Sequence, residues 1–135
     1  MAATKILVVD DDASLRMAMA RTLGNAGYEV SVAGDAVAAV STAVHETPDL
    51  VLLDIGLPAG SGVVVLERLR NIVSTSLVSV VVITGSRLDY DRGLTLQELG
   101  CNIVLTKLVA SADLLDAVSR ALAAAAGAPV ESPAI

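Results

Sequence analysis

Four aspartates in this chain have the types and positions of residues that do chemistry. Asp10, Asp11 and Asp12 directly follow one apolar run, and Asp54 directly follows another. Adjacent carboxylates repel one another, so a fold tolerates such a cluster most easily when a cation or a phosphorylated group balances its charge. Carboxylate oxygens bind Mg²⁺, and a carboxylate can attack a phosphoryl group to form an acyl phosphate. We therefore expect a magnesium site in which Asp54 can accept phosphorus.

Two further polar residues occupy the same kind of position. Thr84 follows the apolar run Val80–Ile83, and Lys107 follows the run that ends at Thr106. Phosphoryl transfer depends mostly on positioning and on the neutralisation of charge. The Lys107 ammonium group would balance one phosphoryl oxygen, and the Thr84 hydroxyl would donate a hydrogen bond to another.

The elements that must position these residues are indicated by β-branched apolar runs that alternate with stretches of helical spacing. Continuous apolar runs are typical of strands that are covered on both faces, as in parallel sheets. We predict strands at Ile6–Val9, Glu29–Ala33, Leu50–Leu53, Ser79–Ile83 and Ile103–Thr106, and helices at Ala13–Asn25, Ala36–His45, Val63–Val73, Leu88–Leu99 and Ser111–Ala126.

Five βα units favour an α/β fold, a doubly wound, five-stranded parallel sheet in a flavodoxin-like three-layer sandwich. In the strand order 2-1-3-4-5 the first, third, fourth and fifth strands are consecutive, so the polar residues that follow them meet in one crevice. We expect residues 1–126 to form this domain. Because Pro129 and Pro133 cannot continue a helix, residues 127–135 are predicted to be a disordered tail or the start of a linker.

Local signals predict where several helices begin and end. Asp35 and Ser111 have the side chains that cap helix N-termini, so we expect them to cap the second and fifth helices. Gly27 and Gly100 can adopt a positive φ without strain and are expected to end the first and fourth helices.

Composition and charge narrow the function classes. The chain has 135 residues and a formal net charge of −6, with neither Phe nor Trp and no cluster of Lys and Arg, which argues against a nucleic-acid surface. Its apolar stretches are interrupted well short of the roughly 20 residues that a membrane span needs. The N-terminus lacks the pattern of a secretory signal, and the single cysteine, Cys101, cannot form an internal disulfide. We therefore expect a cytoplasmic protein that contacts neither nucleic acid nor membrane.

Four short motifs, in this order along the chain, are similar to those of one family. They are Ile6-Leu7-Val8-Val9-Asp10-Asp11-Asp12, then Asp54-Ile55-Gly56-Leu57-Pro58 followed by Gly60-Ser61-Gly62, then Val82-Ile83-Thr84-Gly85, and finally Leu99-Gly100-Cys101 leading to Thr106-Lys107. The resemblance covers roughly Lys5 to Ala125, nearly the whole chain, and each motif lies at the end of its own predicted strand. By these motifs the chain closely resembles the receiver domains of two-component response regulators.

The resemblance assigns roles to the acidic residues. It implies that Asp54 is the phosphoacceptor and that Asp10 and Asp11 belong to the Mg²⁺ site with it. It also implies that the main-chain carbonyl two residues after the phosphoacceptor, at Gly56, binds the metal. Asp12 matches a variable position of the family and is left out of the metal ligands.

The resemblance also implies a signalling cycle in which Thr84 carries the switch hydroxyl and Lys107 contacts the phosphoryl group. The donor would be a phosphohistidine on a histidine kinase or on a histidine phosphotransfer protein. The chain would not be an enzyme, although it would assist its own phosphorylation and dephosphorylation. Phosphorylation would shift a two-state equilibrium in the face built by the fourth helix, fifth strand and fifth helix. The partner of that face would be an unidentified downstream protein or, in a phosphorylation-dependent homodimer, a second copy of the chain.

Three features depart from the family pattern. Leu108 follows Lys107 where a proline, often joined by a cis bond, is usual, so we expect a trans bond here. Val104 occupies the position of the aromatic switch residue, which predicts that any coupling to an aromatic flip is lost or rerouted. The stretch from Thr84 to Gly100 is one residue longer than usual, which predicts a shifted fourth helix.

Two other functions fit parts of the sequence. The departures at Val104 and Leu108 are compatible with a degenerate receiver that binds partners without being phosphorylated. The order Asp10-x-Asp12-x-Ser14 loosely fits the nucleophile loop of haloacid-dehalogenase-type phosphatases. That second alternative leaves Asp54 without a role and lacks the further acidic residue that those enzymes need after a late strand.

Overall fold

The structure is a computed structural model that describes residues 3–58, 61–85, 90–101 and 103–127. Two predictions lie outside these ranges: the start of the fourth helix at Leu88, and the tail after residue 127. The unusual length of the stretch from Thr84 to Gly100 also falls partly outside them. No helix among the described residues is long and apolar enough to cross a membrane.

The chain forms one parallel sheet with helices between its strands. The elements in chain order are β1 (Lys5–Val9), α1 (Ala13–Asn25), β2 (Glu29–Ala33), α2 (Ala36–Glu46), β3 (Leu50–Asp54), α3 (Ser61–Asn71), β4 (Ser79–Thr84), α4 (Tyr90–Glu98), β5 (Ile103–Thr106) and α5 (Ser111–Ala125). The strands pair in the order β2-β1-β3-β4-β5, as predicted, and every pairing is parallel. The fold is the predicted three-layer sandwich.

The two faces of the sheet build two separate cores, because successive residues of a strand point to opposite faces. One core joins alternate strand residues to α2, α3 and α4, and its members include Leu7, Val9, Val51, Leu53, Ala39, Val65, Leu66, Leu69 and Leu96. The other joins the remaining strand residues to α1 and α5, and its members include Ile6, Val8, Leu50, Leu52, Met19, Leu23, Leu114 and Val118. All five residues of β3 are buried, so its carboxyl end lies at the centre of the sheet.

Helix ends follow the predicted signals in three cases and differ in one. The Asp35 side chain accepts a hydrogen bond from the Ala38 main-chain N–H at 2.8 Å and caps α2. Gly27 and Gly100 have φ values of 99° and 82° at the ends of α1 and α4. The prediction that Ser111 caps α5 is wrong: Ser111 is already helical, and Ala110 takes the cap position without any side-chain hydrogen bond.

Helix α3 lies two residues earlier than predicted. It begins at Ser61, whose hydroxyl donates to the Pro58 carbonyl at 2.7 Å. It ends at Asn71, because Val73 belongs to a short 3₁₀ turn over Val73–Thr75. The earlier start brings the helix N-terminus close to the carboxyl end of β3.

The C-terminal end of α4 is attached to the α3–β4 connection through Arg70. Its Nε donates to the Leu99 carbonyl at 2.7 Å, and its Nη1 donates to the Val78 carbonyl at 2.6 Å. Cys101 lies beside this junction, buried, with its N–H donating to the Leu96 carbonyl at 2.8 Å. Burial raises the pKa of the Cys101 thiol to about 11 despite the nearby Arg70 guanidinium.

Gly62 is required for the close approach of α3 to β3. A Cβ there would lie 2.6 Å from the Ile55 carbonyl oxygen and 2.8 Å from that of Asp54. We predict that Gly62→Ala lowers the free energy of unfolding by about 1–3 kcal/mol, because main-chain atoms must move to admit the methyl group. Urea denaturation measures the change.

Gly24→Ala is the matched control for this substitution. Gly24 lies in α1 with no atom within 4 Å of the position of its Cβ. Alanine there should raise the free energy of unfolding by about 0.5–1 kcal/mol through helix propensity alone. Equal effects of the two substitutions would contradict the close packing at Gly62.

Candidate functional site

The carboxyl ends of β1 and β3 bring three predicted residues together. Val9 is level with Leu53 in the parallel register, so the residues that follow, Asp10 and Asp54, are neighbours. Each of Asp10, Asp11 and Asp54 offers a carboxylate oxygen, and the three oxygens lie within 4.8 Å of one another. The spatial convergence that the sequence predicted for these carboxylates is therefore present.

The loop after β1 separates the roles of its three aspartates. Asp10 is fully buried, and its Oδ1 accepts a hydrogen bond from the Asp12 N–H at 2.9 Å. Asp11 is exposed. Asp12 turns to α1, where its Oδ1 accepts from the Leu15 N–H at 3.1 Å and caps the helix. Asp12 thus serves the helix, whereas Asp10 and Asp11 face Asp54.

Asp54, the last residue of β3, is buried and hydrogen-bonded at both oxygens. Its Oδ1 accepts from the Gly56 N–H at 2.8 Å, and its Oδ2 accepts from the Lys107 ammonium at 2.8 Å. A Cβ at residue 56 would lie only 3.2 Å from that same Oδ1. Because glycine has no Cβ, the Gly56 N–H can approach the carboxylate without this crowding. The contact described for Gly56 involves its N–H, so metal binding by its carbonyl stays a prediction.

Lys107 extends across the crevice from the end of β5 and contacts two carboxylates at once. Its Nζ lies 2.8 Å from Asp54 Oδ2 and 3.3 Å from Asp10 Oδ2. Its main-chain N–H donates to the Thr84 carbonyl at 2.7 Å, which fixes the start of the β5–α5 loop against the end of β4. Thr84 is buried at that end of β4, opposite Thr106 of β5. The four strand ends therefore meet as predicted.

The electrostatics of the site are dominated by the burial of Asp10. Desolvation raises the pKa of this carboxyl, and the neighbouring Asp54 carboxylate raises it further, while the Asp12 N–H and Lys107 oppose the change. Desolvation alone would lower the pKa of Lys107, but its hydrogen bond and its attraction to Asp54 outweigh that effect and raise it. Lys107 is therefore held as a cation between two acids.

The donor set fits Mg²⁺, which prefers oxygen ligands and retains several waters. Three carboxylates meet at one point, and Asp10 Oδ2 is buried with no hydrogen-bond partner among the described residues. A buried carboxylate oxygen without a hydrogen bond is costly unless a cation satisfies it. Lys107 partly meets this need through the ion pair at 3.3 Å, and a divalent ion would meet it more fully.

The β5–α5 loop shows the local consequence of the missing proline. No peptide bond among the described residues is cis, so the Lys107–Leu108 bond is trans, as expected. Leu108 has a φ of 58° and is 90% exposed. A left-handed backbone at a residue other than glycine costs about 1–2 kcal/mol. Val104, at the position where the family has an aromatic residue, is 42% exposed on β5.

One contact beside the carboxylates was not expected from the sequence. The Arg16 Nη1 on α1 donates to the Asp10 carbonyl at 2.8 Å. The sequence feature that could have indicated this contact is an arginine one helical turn after the acidic run. That signal is weak, because it does not specify in which direction the side chain lies.

Comparisons with known proteins agree with this geometry. The family model described as "Response regulator receiver domain" matches residues 6–119. The PhoP transcriptional regulatory protein of alkaline phosphatase synthesis from Bacillus subtilis is 36% identical over 103 residues, which cover 76% of this chain and 42% of that protein. A protein-glutamate methylesterase/protein-glutamine glutaminase from Anaeromyxobacter dehalogenans is 41% identical over 83 residues, which cover 62% of this chain and 23% of that protein. The chain therefore spans less than half the length of these curated relatives.

Solved structures share the whole fold. The crystal structure of a CheY-like response regulator receiver domain protein from Methanospirillum hungatei superimposes with a TM-score of 0.85 at 25% identity. The match covers 93% of this chain and 98% of that chain. The likeness therefore extends over nearly all of both chains, in contrast to the partial coverage of the longer relatives.

The raised pKa of Asp10 predicts a stabilising substitution at the site. Because the folded chain binds this proton more tightly than the unfolded chain, the free energy of unfolding falls as pH rises from the ordinary value of 3.8 through the folded-state pKa. At pH 7 without divalent ions, Asp10→Asn should therefore raise the free energy of unfolding by about 1 kcal/mol, since it removes a buried, incompletely satisfied charge.

Urea denaturation at several pH values checks this expectation. The advantage of Asp10→Asn should shrink as the pH falls through the raised folded-state pKa of Asp10 toward 3.8, because folded wild-type Asp10 takes up its proton over this range. A wild type more stable than the variant at pH 7 in the absence of metal would show that Lys107 compensates Asp10 fully.

Proposed function

The chain belongs to the family of response regulator receiver domains, and we propose that it accepts a phosphoryl group on Asp54 with Mg²⁺ bound beside it. Membership in this family makes it a signalling domain. The observation that carries the proposal is the meeting of three carboxylates within 4.8 Å, with the Lys107 ammonium 2.8 Å from Asp54. That arrangement supplies an acceptor, a cation site and a fixed positive charge in one crevice.

In the proposed reaction Asp10, Asp11 and Asp54 would hold the metal, together with the Gly56 carbonyl. When bound, Mg²⁺ would neutralise charge on the phosphoryl oxygens during transfer. Asp54 attacks the phosphorus of a phosphohistidine, the bond to the histidine nitrogen breaks, and an acyl phosphate forms. Lys107, released from Asp54, then contacts a phosphoryl oxygen. The Gly56 N–H keeps the Asp54 carboxylate oriented through its hydrogen bond at 2.8 Å.

The proposed output follows from the connections of Thr84. Its hydroxyl would bond to the phosphoryl group, and its carbonyl already accepts the Lys107 N–H at 2.7 Å. Movement at either residue would therefore pass to β5 and to the neighbouring helices α4 and α5. Because Val104 replaces an aromatic residue, this face would respond through main-chain movement and not through an aromatic flip.

The partners in this proposal are a histidine kinase or histidine phosphotransfer protein as donor and an unidentified downstream protein as target. A phosphorylation-dependent homodimer through the same face is an alternative target. The printed name of the B. subtilis relative describes a transcriptional regulator, but this chain has a formal net charge of −6. We therefore propose that this domain itself contacts no nucleic acid. A cytoplasmic location, expected from the sequence, stays part of the proposal.

A phosphatase of the haloacid-dehalogenase type has less support. That function would need Asp12 in the nucleophile loop, whereas Asp12 caps α1 through the Leu15 N–H. It would also leave the buried Asp54 unused. The methylesterase relative matches this chain along only 23% of its own length, which lends no support to esterase chemistry here. A degenerate receiver remains the main alternative, and the acceptor test distinguishes it.

We predict that Asp54→Asn abolishes phosphorylation. The chain, incubated with Mg²⁺ and acetyl phosphate, should gain the mass of one phosphoryl group in an acid-stable, base-labile linkage, because an acyl phosphate hydrolyses in base. The amide of the variant cannot form that linkage. Intact-mass analysis measures the outcome.

Asp12→Asn is the control, since it removes one charge from the same loop while asparagine caps a helix as well as aspartate does. It should be labelled like wild type. Undiminished labelling of Asp54→Asn would rule out this acceptor, and the absence of labelling in wild type, with no response to beryllofluoride, would favour the degenerate receiver.

Lys107→Ala should separate metal binding from signalling. Removing the ammonium frees Asp54 Oδ2 and Asp10 Oδ2, so Mg²⁺ should bind at least as tightly as in wild type. The amide NMR shifts that follow addition of beryllofluoride should be reduced in β5 and α5, because the link to the phosphoryl group is lost. An unchanged response would show that Lys107 has no part in the switch.

A further inference from the structure

Arg16 contacts the main chain of the acidic loop and not the loop's carboxylates. The Nη1 of Arg16 donates to the Asp10 carbonyl oxygen at 2.8 Å. Three carboxylates lie in the same loop, yet none of the ion pairs found among the described residues involves Arg16. The guanidinium therefore holds the backbone of the loop and leaves the carboxylates available.

This contact completes the restraint of Asp10. The Asp10 N–H donates to the Ala33 carbonyl at the end of β2, at 3.2 Å, and the Asp10 carbonyl accepts from Arg16. The sheet thus holds the Val9–Asp10 peptide through the Asp10 N–H, and α1 holds the following Asp10–Asp11 peptide through the Asp10 carbonyl. Because Asp11 is exposed and no hydrogen bond to it is found among the described residues, the Asp10–Asp11 peptide is the restrained group from which its side chain extends.

Gly34 provides the space that Arg16 occupies. A Cβ at Gly34 would lie 3.0 Å from Arg16 Nη1 and 3.6 Å from its Cζ. Gly34 is not one of the residues with a positive φ. Its backbone conformation therefore does not require a glycine. A Cβ at this position would nevertheless press on the guanidinium of Arg16.

We propose that Arg16 is a positioning residue for the Mg²⁺ site: through the Asp10 carbonyl it sets the orientation of Asp11 toward Asp10 and Asp54. This inference rests on the proposed function, because it assumes that the three carboxylates bind the metal. Groups that orient metal ligands are commonly as important as the ligands, and their removal typically weakens metal binding about 10- to 100-fold.

The positive charge of Arg16 affects Mg²⁺ affinity in the opposite direction to its positioning role. A cation near a divalent ion repels it, so loss of the charge alone would strengthen Mg²⁺ binding, by at most about fivefold for a partly exposed group. A positioning role predicts weaker binding when the guanidinium is removed. The direction of the change therefore distinguishes the two roles.

The experiment measures the dissociation constant of Mg²⁺, added alone, from amide NMR shifts in the full chain. We expect Arg16→Gln to weaken binding about tenfold. Arg16→Lys, which keeps a charged donor, should recover part of the affinity. Arg21→Gln is the matched control: Arg21 is exposed, about 7.5 Å further along the axis of α1. It should show only the slight strengthening expected from loss of charge.

At saturating Mg²⁺, Arg16→Gln should still accept a phosphoryl group from acetyl phosphate, because Asp54 and Lys107 are intact. Unchanged or tighter Mg²⁺ binding by Arg16→Gln would overturn the inference. If that variant does not fold, Gly34→Ala replaces it: weaker binding supports the inference, and unchanged or tighter binding overturns it. Failure of wild type to bind Mg²⁺ or to be phosphorylated would instead contradict the proposed function.

Discussion

The burial of two carboxylates side by side is the constraint on which this structure depends. Asp10 and Asp54 lie at the ends of adjacent central strands, with almost no exposed surface. Their repulsion and desolvation must be compensated, and Lys107 does so from a third strand end. Without a metal ion, these two carboxylates are therefore partly neutralised by the Lys107 ammonium. A divalent ion would compete with the Lys107 ammonium for the same carboxylate oxygens. Metal binding would therefore change the position of Lys107.

The fold could be predicted because its determinants are local or periodic. The strands Glu29–Ala33 and Ile103–Thr106 have the predicted bounds, since short β-branched runs between helical stretches indicate strands. The cap at Asp35 was predicted from its side chain alone. The cap at Ser111 was not correctly predicted, because a serine hydroxyl also fits the first helical turn, and the choice depends on how the preceding loop enters.

The candidate site could be predicted only as far as strand ends determine it. Parallel register brings Asp10, Asp54 and Thr84 to one edge whatever their side chains do. The contacts of Arg16 and Arg70 with main-chain carbonyls could not be predicted, because long side chains have many rotamers and the partner carbonyls lie in other segments. The left-handed backbone at Leu108 could not be predicted either, since leucine rarely adopts that conformation.

Cys101 offers a natural chemical probe of the C-terminal end of α4, away from the carboxylates. It is the chain's one cysteine, it is buried beside the junction that Arg70 holds, and its raised pKa disfavours the thiolate. A thiol reagent can therefore modify it only during brief openings of this junction. The modification rate of the unaltered chain, with no introduced label, would report how often α4 separates from the sheet. Comparing the rate in different ligand states would show whether changes at the strand ends reach the far side of the helix.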